Sequence, residues 1–274
     1  MAQKKLALLG CGKMGGALVR GISSVASMQE QVNFLLYDVD VKKASALALE
    51  IGDRAALVEE VKQLAIADIY LVACKPQQFD NLAVTLGPSI NHEALLISIL
   101  AGTSVAKIMD TLAISKVVRA MPNTPALIGE GVTALFFTKA IQKNDRQLVW
   151  ELFKTISNCY IFDKEEELNV ITGFSGSGPA YFFEIARILS AEMIKMGIAA
   201  EVSREMIKYT MLGAAKLLAQ SSESAETLRN NVTSPQGVTY EALEVFKNER
   251  SKNLEELFQS AMSAAYKRAG QLAS

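Results

Sequence analysis

Apolar residues follow two different periodicities along the chain. In about the first 160 residues, short apolar runs of strand length alternate with segments whose apolar residues recur every three or four positions. Strands are predicted at residues 5–9, 32–37, 69–73, 95–100 and 116–119, and two more, at 132–137 and 159–162, extend the sheet around a helix at 144–157. Strands that alternate with helices predict an α/β fold, a parallel sheet with helices on both faces.

The strand pattern ends near Asp163, and only helical spacing follows it. Two domains are therefore expected, residues 1–163 and residues 164–274, the second of them all-α. Helices are predicted at residues 179–196, 203–220, 225–230 and 254–273, with Ser203 as an N-cap.

The helix that follows Pro179 is apolar on nearly every side, as Phe182, Phe183, Ile185 and Leu189 illustrate. Such a helix must be buried on several sides. Because a domain of about 110 residues has little interior, an intertwined homodimer is predicted. The alternative is a central helix in a monomeric bundle.

A glycine motif stands directly after the first predicted strand. Gly10 would allow a tight turn, Gly12 would let the backbone approach a pyrophosphate, and Gly15 would let the next helix lie close to the strand. Asp38 ends the second strand, where a ribose-binding acid is expected. These residues favour dinucleotide binding over an ordinary glycine-rich turn.

Ligands of parallel sheets bind beyond the carboxyl ends of the strands, so the segments that follow the strands are candidates for a cleft. Pro76, Pro122 and Pro125, which lie in two of these segments, stop the preceding strands from continuing. The candidate segments are Gly10-Cys11-Gly12, Asp38, Cys74-Lys75-Pro76, Ala101-Gly102-Thr103 and Met121-Pro122-Asn123-Thr124-Pro125.

Composition excludes several classes of function. Net charge is −1 over 274 residues and no basic block occurs, so nucleic-acid binding is not expected. No apolar stretch reaches the length of a membrane span, and the start of the chain has too short an apolar core for a lipoprotein signal. The protein is therefore expected to be soluble and cytoplasmic.

The three cysteines and the single histidine offer little material for metal binding or nucleophilic catalysis. Cys11, Cys74 and Cys159 lie far apart and are interpreted as buried hydrophobes in a reducing compartment. His92 is interpreted as an exposed loop residue, so neither a metal site nor a Ser-His-Asp arrangement is predicted.

Hydroxyl and amide side chains are concentrated at residues 228–239, around Pro235 and Gly237. This composition is consistent with a cradle for a carboxylate at a helix N-terminus. A helix–helix linker with capping residues is the alternative.

The whole chain resembles the pyrroline-5-carboxylate reductases, which catalyse the last step of proline biosynthesis. The resemblance lies in five motifs in the same order: residues 10–15, Ala73-Cys74-Lys75-Pro76, residues 119–125, residues 172–181 and residues 228–239. It implies a Rossmann-type doubly wound domain, an all-α dimerisation domain, an active site at the junction of the two across the subunit interface, and higher assembly such as a decameric ring of dimers.

The resemblance also implies the roles of individual residues. The implied substrate is 1-pyrroline-5-carboxylate, which would be reduced to L-proline by NADPH or NADH. The candidate catalytic residues are Thr239 and Lys75, and Lys75 would act through the charge of the pocket. The implied cofactor contacts are Gly10, Cys11, Gly12, Lys13, Met14, Gly15, Asp38, Glu60, Ala73, Cys74, Lys75, Pro76, Ala101, Gly102 and Asn123. The implied substrate contacts are Glu165, Ser177, Asn231, Val232, Ser234, Gly237, Val238 and Thr239.

Two departures from the family pattern bear on function. The substrate loop carries Gln236 and Val238 where the family has glycine and threonine, which matters if the first glycine needs positive φ. The second strand is followed by Asp38 and Val39, where members that use NADPH often have asparagine and arginine. A carboxylate there binds ribose hydroxyls and repels a 2′-phosphate, so NADH is favoured, although Lys42 and Lys43 are close enough to rescue phosphate binding.

Three other functions are compatible with this layout. One is a β-hydroxyacid dehydrogenase, which shares the two-domain layout but would need a lysine early in the long helix. Residues 180–194 contain no lysine and Lys195 lies several turns along, which argues against this function. Another is a catalytically silent dinucleotide sensor. It would not need Ser234, Gly237 and Thr239, so their presence argues for an active substrate pocket. A reductase of a larger cyclic imine is not distinguished from the main prediction.

Overall fold

The computed structural model describes residues 3–248 and 253–273, and within them an eight-stranded sheet is followed by helices. The strands are β1 (Lys4–Leu9), β2 (Val32–Tyr37), β3 (Ala55–Leu57), β4 (Ile69–Val72), β5 (Leu95–Ser98), β6 (Val117–Pro122), β7 (Gly131–Phe137) and β8 (Ser157–Phe162). The helices are α1 (Lys13–Ser24), α2 (Ala26–Gln29), α3 (Val41–Ile51), α4 (Phe79–Leu86), α5 (Val105–Leu112), α6 (Lys143–Lys154), α7 (Glu167–Ile171), α8 (Gly178–Lys195), α9 (Ala200–Gln220), α10 (Ala225–Asn231), α11 (Val238–Asn248) and α12 (Leu254–Ala273).

The strand order is β3-β2-β1-β4-β5-β6-β7-β8, and all neighbours are parallel except β6 and β7. The predicted fold class is confirmed. Both faces of the central strands are buried: Leu6 and Leu8 belong to one hydrophobic cluster, and Ala7 and Leu9 belong to another. Burial on both faces explains why these strands are continuous apolar runs in the sequence.

The chain reverses its winding at β1, which lies between β2 and β4. Leu9 is in register with Tyr37 of β2 and with Val72 of β4, so the carboxyl ends of the three strands align. A crevice forms at such a switch point. The candidate site is built there.

The structure corrects the predictions at several elements. Strand β3 was not predicted because it has only three residues. Strand β6 continues through Met121 to Pro122, since a proline can end a strand whose pairing does not need its N–H. The segment Thr172–Gly176, for which no element was predicted, forms a π-helical turn. Ser203 lies within α9, buried, and its hydroxyl donates to the carbonyl of Ala199, so it is not a cap.

The described chain forms two compact units. One contains residues 3–177 and 265–273, and the other contains residues 178–248 and 253–264. The end of β8 lies near Asp163, where the sequence places the domain boundary. In residues 3–248 and 253–273 no helix has both the length and the apolarity needed to cross a membrane.

Helix α8 leaves large apolar side chains uncovered in the single chain. Phe182 is 60% exposed and Phe183 is 69% exposed, although helices α8 and α9 pack together. The two helices flank a groove of about 630 Å³, which is lined by Phe182 and Phe183 together with Ile194 and Met211. Large exposed apolar patches are uncommon on soluble monomeric proteins.

Candidate dinucleotide and substrate sites

The loop after β1 depends on glycine at two positions. Gly10 has φ +109°, and a Cβ there would lie 2.7 Å from the backbone of Ala73 and Cys74. A Cβ on Gly15 would overlap the carbonyl oxygen of Gly10 and would lie 3.0 Å from Leu8 Cδ1. The first glycine therefore makes the turn and the third lets α1 pack against the strand, as predicted.

Asp38 fixes this loop from the end of β2. Its Oδ2 accepts a hydrogen bond from the N–H of Cys11 at 2.7 Å, and its Oδ1 accepts one from the N–H of Asp40 at 2.8 Å. An ionised carboxylate has about four acceptor positions, so capacity for hydroxyl groups remains. Asp38 is thus both a support for the glycine loop and a candidate ribose ligand.

A cavity of about 450 Å³ opens at the carboxyl ends of β1, β2 and β4. It brings together Gly10, Gly12, Asp38, Ala73, Cys74 and Lys75, all predicted as cofactor contacts. Lys43 also lines it, and its Nζ pairs with Asp40 Oδ2 at 3.2 Å. The positive charge of Lys43 is therefore partly compensated.

Sequence reasoning missed the part of the cavity wall that α4 provides. The lining residues there are Asn81, Leu82 and Thr85, and Gln78 in the turn just before α4 lines the same wall. Their place in the sequence could have identified them, because α4 begins shortly after Pro76 and therefore lies near the carboxyl end of β4.

Other predicted cofactor residues lie outside the lining of the cavity. The side chain of Cys11 is buried, 8% exposed, so it can offer a ligand mainly its backbone, and the half-buried Met14 packs against the same hydrophobic cluster. Lys13 is exposed in the first turn of α1. Glu60 caps a 3₁₀ turn and pairs with Lys62, which offsets its negative charge.

Two predicted segments follow β5 and β6. Ala101 and Gly102 form a turn, with Gly102 at φ +71°. Asn123 is 8% exposed; its Nδ2 donates to the carbonyl of Ser175 at 3.2 Å and its Oδ1 accepts from the N–H of Val132 at 2.9 Å. Its side chain therefore holds neighbouring backbone, and its role as a cofactor contact stays a prediction.

Glu165 is held by a buried arginine that sequence reasoning had quoted only within a motif. Glu165 Oε1 accepts from Arg119 Nη1 at 2.9 Å and from the N–H of Val105 at 2.8 Å. Arg119 Nη2 donates to Asn169 Oδ1 at 3.1 Å, and Arg119 is only 2% exposed. A charged residue inside an apolar strand was the signal that could have identified it.

The remaining predicted substrate residue of this unit is Ser177. It is half-buried, and its N–H donates to the carbonyl of Thr172 at 3.0 Å across the π-helical turn. Turns of this type are frequent at functional sites.

In the second unit, the predicted carboxylate cradle is a tight turn that leads into α11. The N–H of Gly237 donates to the carbonyl of Ser234 at 3.0 Å, and a Cβ on Gly237 would overlap Ser234 Oγ. Gln236 has φ +56°, so the position where the family has glycine does adopt the left-handed conformation. Thr239 is half-buried in the first turn of α11. Helix N-termini have free N–H groups that favour anions.

The other predicted substrate residues flank this turn. Asn231 ends α10, and its Nδ2 donates to Glu223 Oε2 at 3.2 Å. Val232 is 64% exposed and Val238 is 92% exposed, so in the single chain both are accessible.

The thiols of Cys74, which lines the cavity, and Cys11, which lies outside its lining, are both held in the neutral form. Burial, and then the negative charge of Asp38, raises the pKa of the Cys11 thiol to about 12. Burial likewise raises the pKa of Cys74 to about 11, with Asp38 adding to the effect. Both are neutral thiols near neutral pH and are poor nucleophiles.

The Cys11 thiol predicts alkaline destabilisation. Its folded pKa lies above the unfolded value of about 8.5, so its contribution to stability is complete below that pH and is lost as pH rises toward about 12. The decline in Tm between about pH 8.5 and 10.5 is expected to be smaller in Cys11→Ala than in the wild type. Equal slopes in thermal unfolding would contradict this.

The described residues contain no group of three or more His, Cys, Asp or Glu side chains arranged to hold a metal ion. His92 is exposed, with Nδ1 3.1 Å from the carbonyl oxygen of Ala113.

Comparison with known proteins shows full-length similarity to one family. Residues 165–272 match the model described as pyrroline-5-carboxylate reductase dimerisation, and residues 5–102 match the model described as NADP oxidoreductase, coenzyme F420-dependent. A pyrroline-5-carboxylate reductase of Haemophilus influenzae is 33% identical over 266 residues, which cover 96% of this chain and 97% of the relative. A second relative, pyrroline-5-carboxylate reductase 1 of Bacillus subtilis, is 32% identical, with 89% and 82% covered.

Solved structures agree with the sequence relatives. A pyrroline-5-carboxylate reductase from Coxiella burnetii superposes with a TM-score of 0.87 at 28% identity, and the match covers 100% of both chains. The Plasmodium falciparum pyrroline carboxylate reductase with NADP bound superposes with a TM-score of 0.83 at 26% identity, again over 100% of both chains. The resemblance read from the motifs is confirmed, and this chain belongs to the pyrroline-5-carboxylate reductase family.

Proposed function

We propose that this chain reduces 1-pyrroline-5-carboxylate to L-proline with a reduced nicotinamide dinucleotide. The observation that carries the proposal is the cavity at the ends of β1, β2 and β4, with its glycine loop held by Asp38, in a chain of this family. When bound, the dinucleotide supplies hydride from nicotinamide C4 to the carbon of the cyclic C=N bond. The protein then has to orient the imine and manage the proton on its nitrogen.

The residues of the two units have separate tasks in this proposal. The free N–H groups at the start of α11, with Ser234, bind the substrate carboxylate. The Thr239 hydroxyl hydrogen-bonds the ring nitrogen and orients it, since a threonine hydroxyl is a weak acid at neutral pH. Glu165 and Asn231 contact the imino acid. Lys75, exposed at the cavity, adds positive charge toward the dinucleotide.

We propose NADH as the preferred cofactor. Asp38 lies at the cavity with unused acceptor capacity, Val39 is 77% exposed and offers no cation, and Lys43 is engaged by Asp40. A 2′-phosphate at this position would meet a carboxylate without an arginine to neutralise it.

The proposed assembly is a homodimer through the apolar face of α8 and α9, and a ring of dimers beyond it. The exposed Phe182 and Phe183 support the dimer, as does the match of residues 165–272 to a dimerisation family. A helix with this exposure is stable in water when a partner covers it.

The test is an assay of purified protein with 1-pyrroline-5-carboxylate and, separately, NADH and NADPH, followed by nicotinamide absorbance and by detection of proline. Consumption of either cofactor with equal formation of proline supports the proposal. Binding of both cofactors without turnover would refute it. A second assay with a six-membered cyclic imino acid then separates a larger-imine reductase from a silent sensor.

Gln236 gives a prediction about the substrate loop. A non-glycine residue at φ +56° is strained, and a β-branched residue is strained most. Gln236→Val is therefore expected to raise KM for the imino acid about tenfold, whereas Gln236→Gly is expected to keep KM at or below the wild-type value. Steady-state kinetics with saturating cofactor measure both. A KM for Gln236→Val equal to the wild-type value would show that the loop changes conformation when it binds.

A further inference from the structure

The buried charge of Arg119 has no explanation in the dinucleotide cavity or in the substrate loop. Its side chain is 2% exposed in the middle of β6, and its Nε has no hydrogen-bond partner within the described residues. A buried guanidinium is costly unless it is well paired. Its two contacts, Glu165 and Asn169, lie 46 and 50 positions further along the chain.

The contacts of Glu165 show what Arg119 organises. Glu165 Oε1 is shared by Arg119 Nη1 and by the N–H of Val105, the first residue of α5. Oε2 has no hydrogen-bond partner in residues 3–248 and 253–273, and the Glu165 side chain remains 20% exposed. One oxygen is thus fixed by the protein while the other stays available to a ligand.

This arrangement also ties the middle of β6 to the loop that follows the neighbouring strand β5. Arg119 of β6 is in register with Ser98, the last residue of β5. The loop after β5, Ala101 to Ser104, leads to Val105, whose N–H the same carboxylate holds. Since Glu165 is bonded both to Arg119 and to Val105, a change at Arg119 is transmitted to Glu165 and to this loop. The loop lies at the carboxyl end of β5, and the carboxyl ends of parallel strands form the ligand-binding edge of a sheet.

We infer that Arg119 is a positioning residue for the reduction: it holds Glu165 so that Oε2 is presented to the imino acid while Oε1 anchors the start of α5. The inference rests on the proposed function. Arg119 itself touches neither substrate nor dinucleotide and acts through Glu165.

The experiment is a double-mutant cycle of Arg119→Gln and Glu165→Gln, with kcat/KM for 1-pyrroline-5-carboxylate and the Kd of NADH as readouts. Each single variant is expected to lose about 30-fold in kcat/KM while the Kd of NADH stays within about twofold. The double variant is expected to lose no more than Glu165→Gln alone. Losses that multiply in the double variant would overturn the inference.

A matched control and an activity-independent readout separate positioning from general stability. Arg54→Gln removes another partly buried arginine of the same unit, which donates to the carbonyl of Ser23, and is expected to lower Tm without changing kcat/KM. Hydrogen exchange at the Val105 amide is expected to accelerate in Arg119→Gln and to be unchanged in Arg54→Gln. Unchanged exchange in Arg119→Gln would also overturn the inference.

Arg119→Lys keeps the experiment informative if Arg119→Gln does not fold. An ammonium retains the charge but cannot span Glu165 and Asn169 as a planar guanidinium does, so kcat/KM is expected to lie between the values of wild type and Glu165→Gln. A value equal to wild type would overturn the inference. A wild-type protein without reductase activity would instead refute the proposed function, and with it this role.

Discussion

Replacing Asp38 by serine and Val39 by arginine is expected to raise the ratio of kcat/KM for NADPH over NADH about 100-fold, equivalent to about 2.7 kcal/mol. The variant removes a carboxylate from the cavity wall and places a guanidinium where Val39 is 77% exposed. Arginine binds a phosphate through two donors, whereas aspartate repels it. Steady-state kinetics with each cofactor at fixed imino acid give the ratio.

The structure adds a second expected effect of Asp38→Ser. Asp38 Oδ2 also accepts the N–H of Cys11, so its loss loosens the glycine loop for both cofactors. Asp38→Asn is the control, since it keeps the carbonyl acceptor and removes the charge, and we expect it to shift the ratio with a smaller loss of NADH affinity. A ratio unchanged in both variants would show that Asp38 supports the loop without facing the ribose.

Gly237→Ala is expected to lower kcat/KM for the imino acid about 100-fold while the Kd of NADH changes less than about twofold. A Cβ on Gly237 would overlap Ser234 Oγ, so the serine hydroxyl must leave its position at the start of α11. The cradle then loses a hydroxyl, and the turn closed by the hydrogen bond from Gly237 to Ser234 is distorted. Kinetics at saturating NADH and direct titration of NADH separate the two effects.

Gly213→Ala is the matched control within the second unit. Gly213 lies inside α9, and among the described residues nothing comes within 4 Å of the position that a Cβ would take, so alanine is expected to stabilise the helix by about 1 kcal/mol. Its kinetics are expected to match the wild type. If Gly237→Ala also had wild-type kinetics, the turn before α11 would not be the carboxylate site.

The two kinds of site residue differ in how well the sequence located them. Gly10, Gly15 and Asp38 act through backbone geometry and a strand end, which short-range spacing encodes, and they lie where the motif predicts. Arg119 and Glu165 meet only because β6 and the segment after β8 are brought together by the fold. No local periodicity contains that pairing.

By itself the sequence determined the alternation of strands and helices, the change to a helical region near Asp163 and the glycine loop, because apolar periodicity and glycine spacing are local properties. Only the tertiary structure decided the antiparallel pairing of β6 with β7, the strained φ of Gln236, and the engagement of Asn123 and Glu60 by their own neighbours. Strand direction, backbone strain and hydrogen-bond saturation depend on contacts between residues that are distant in sequence or on the exact path of a loop. Those contacts exist only when the chain is folded.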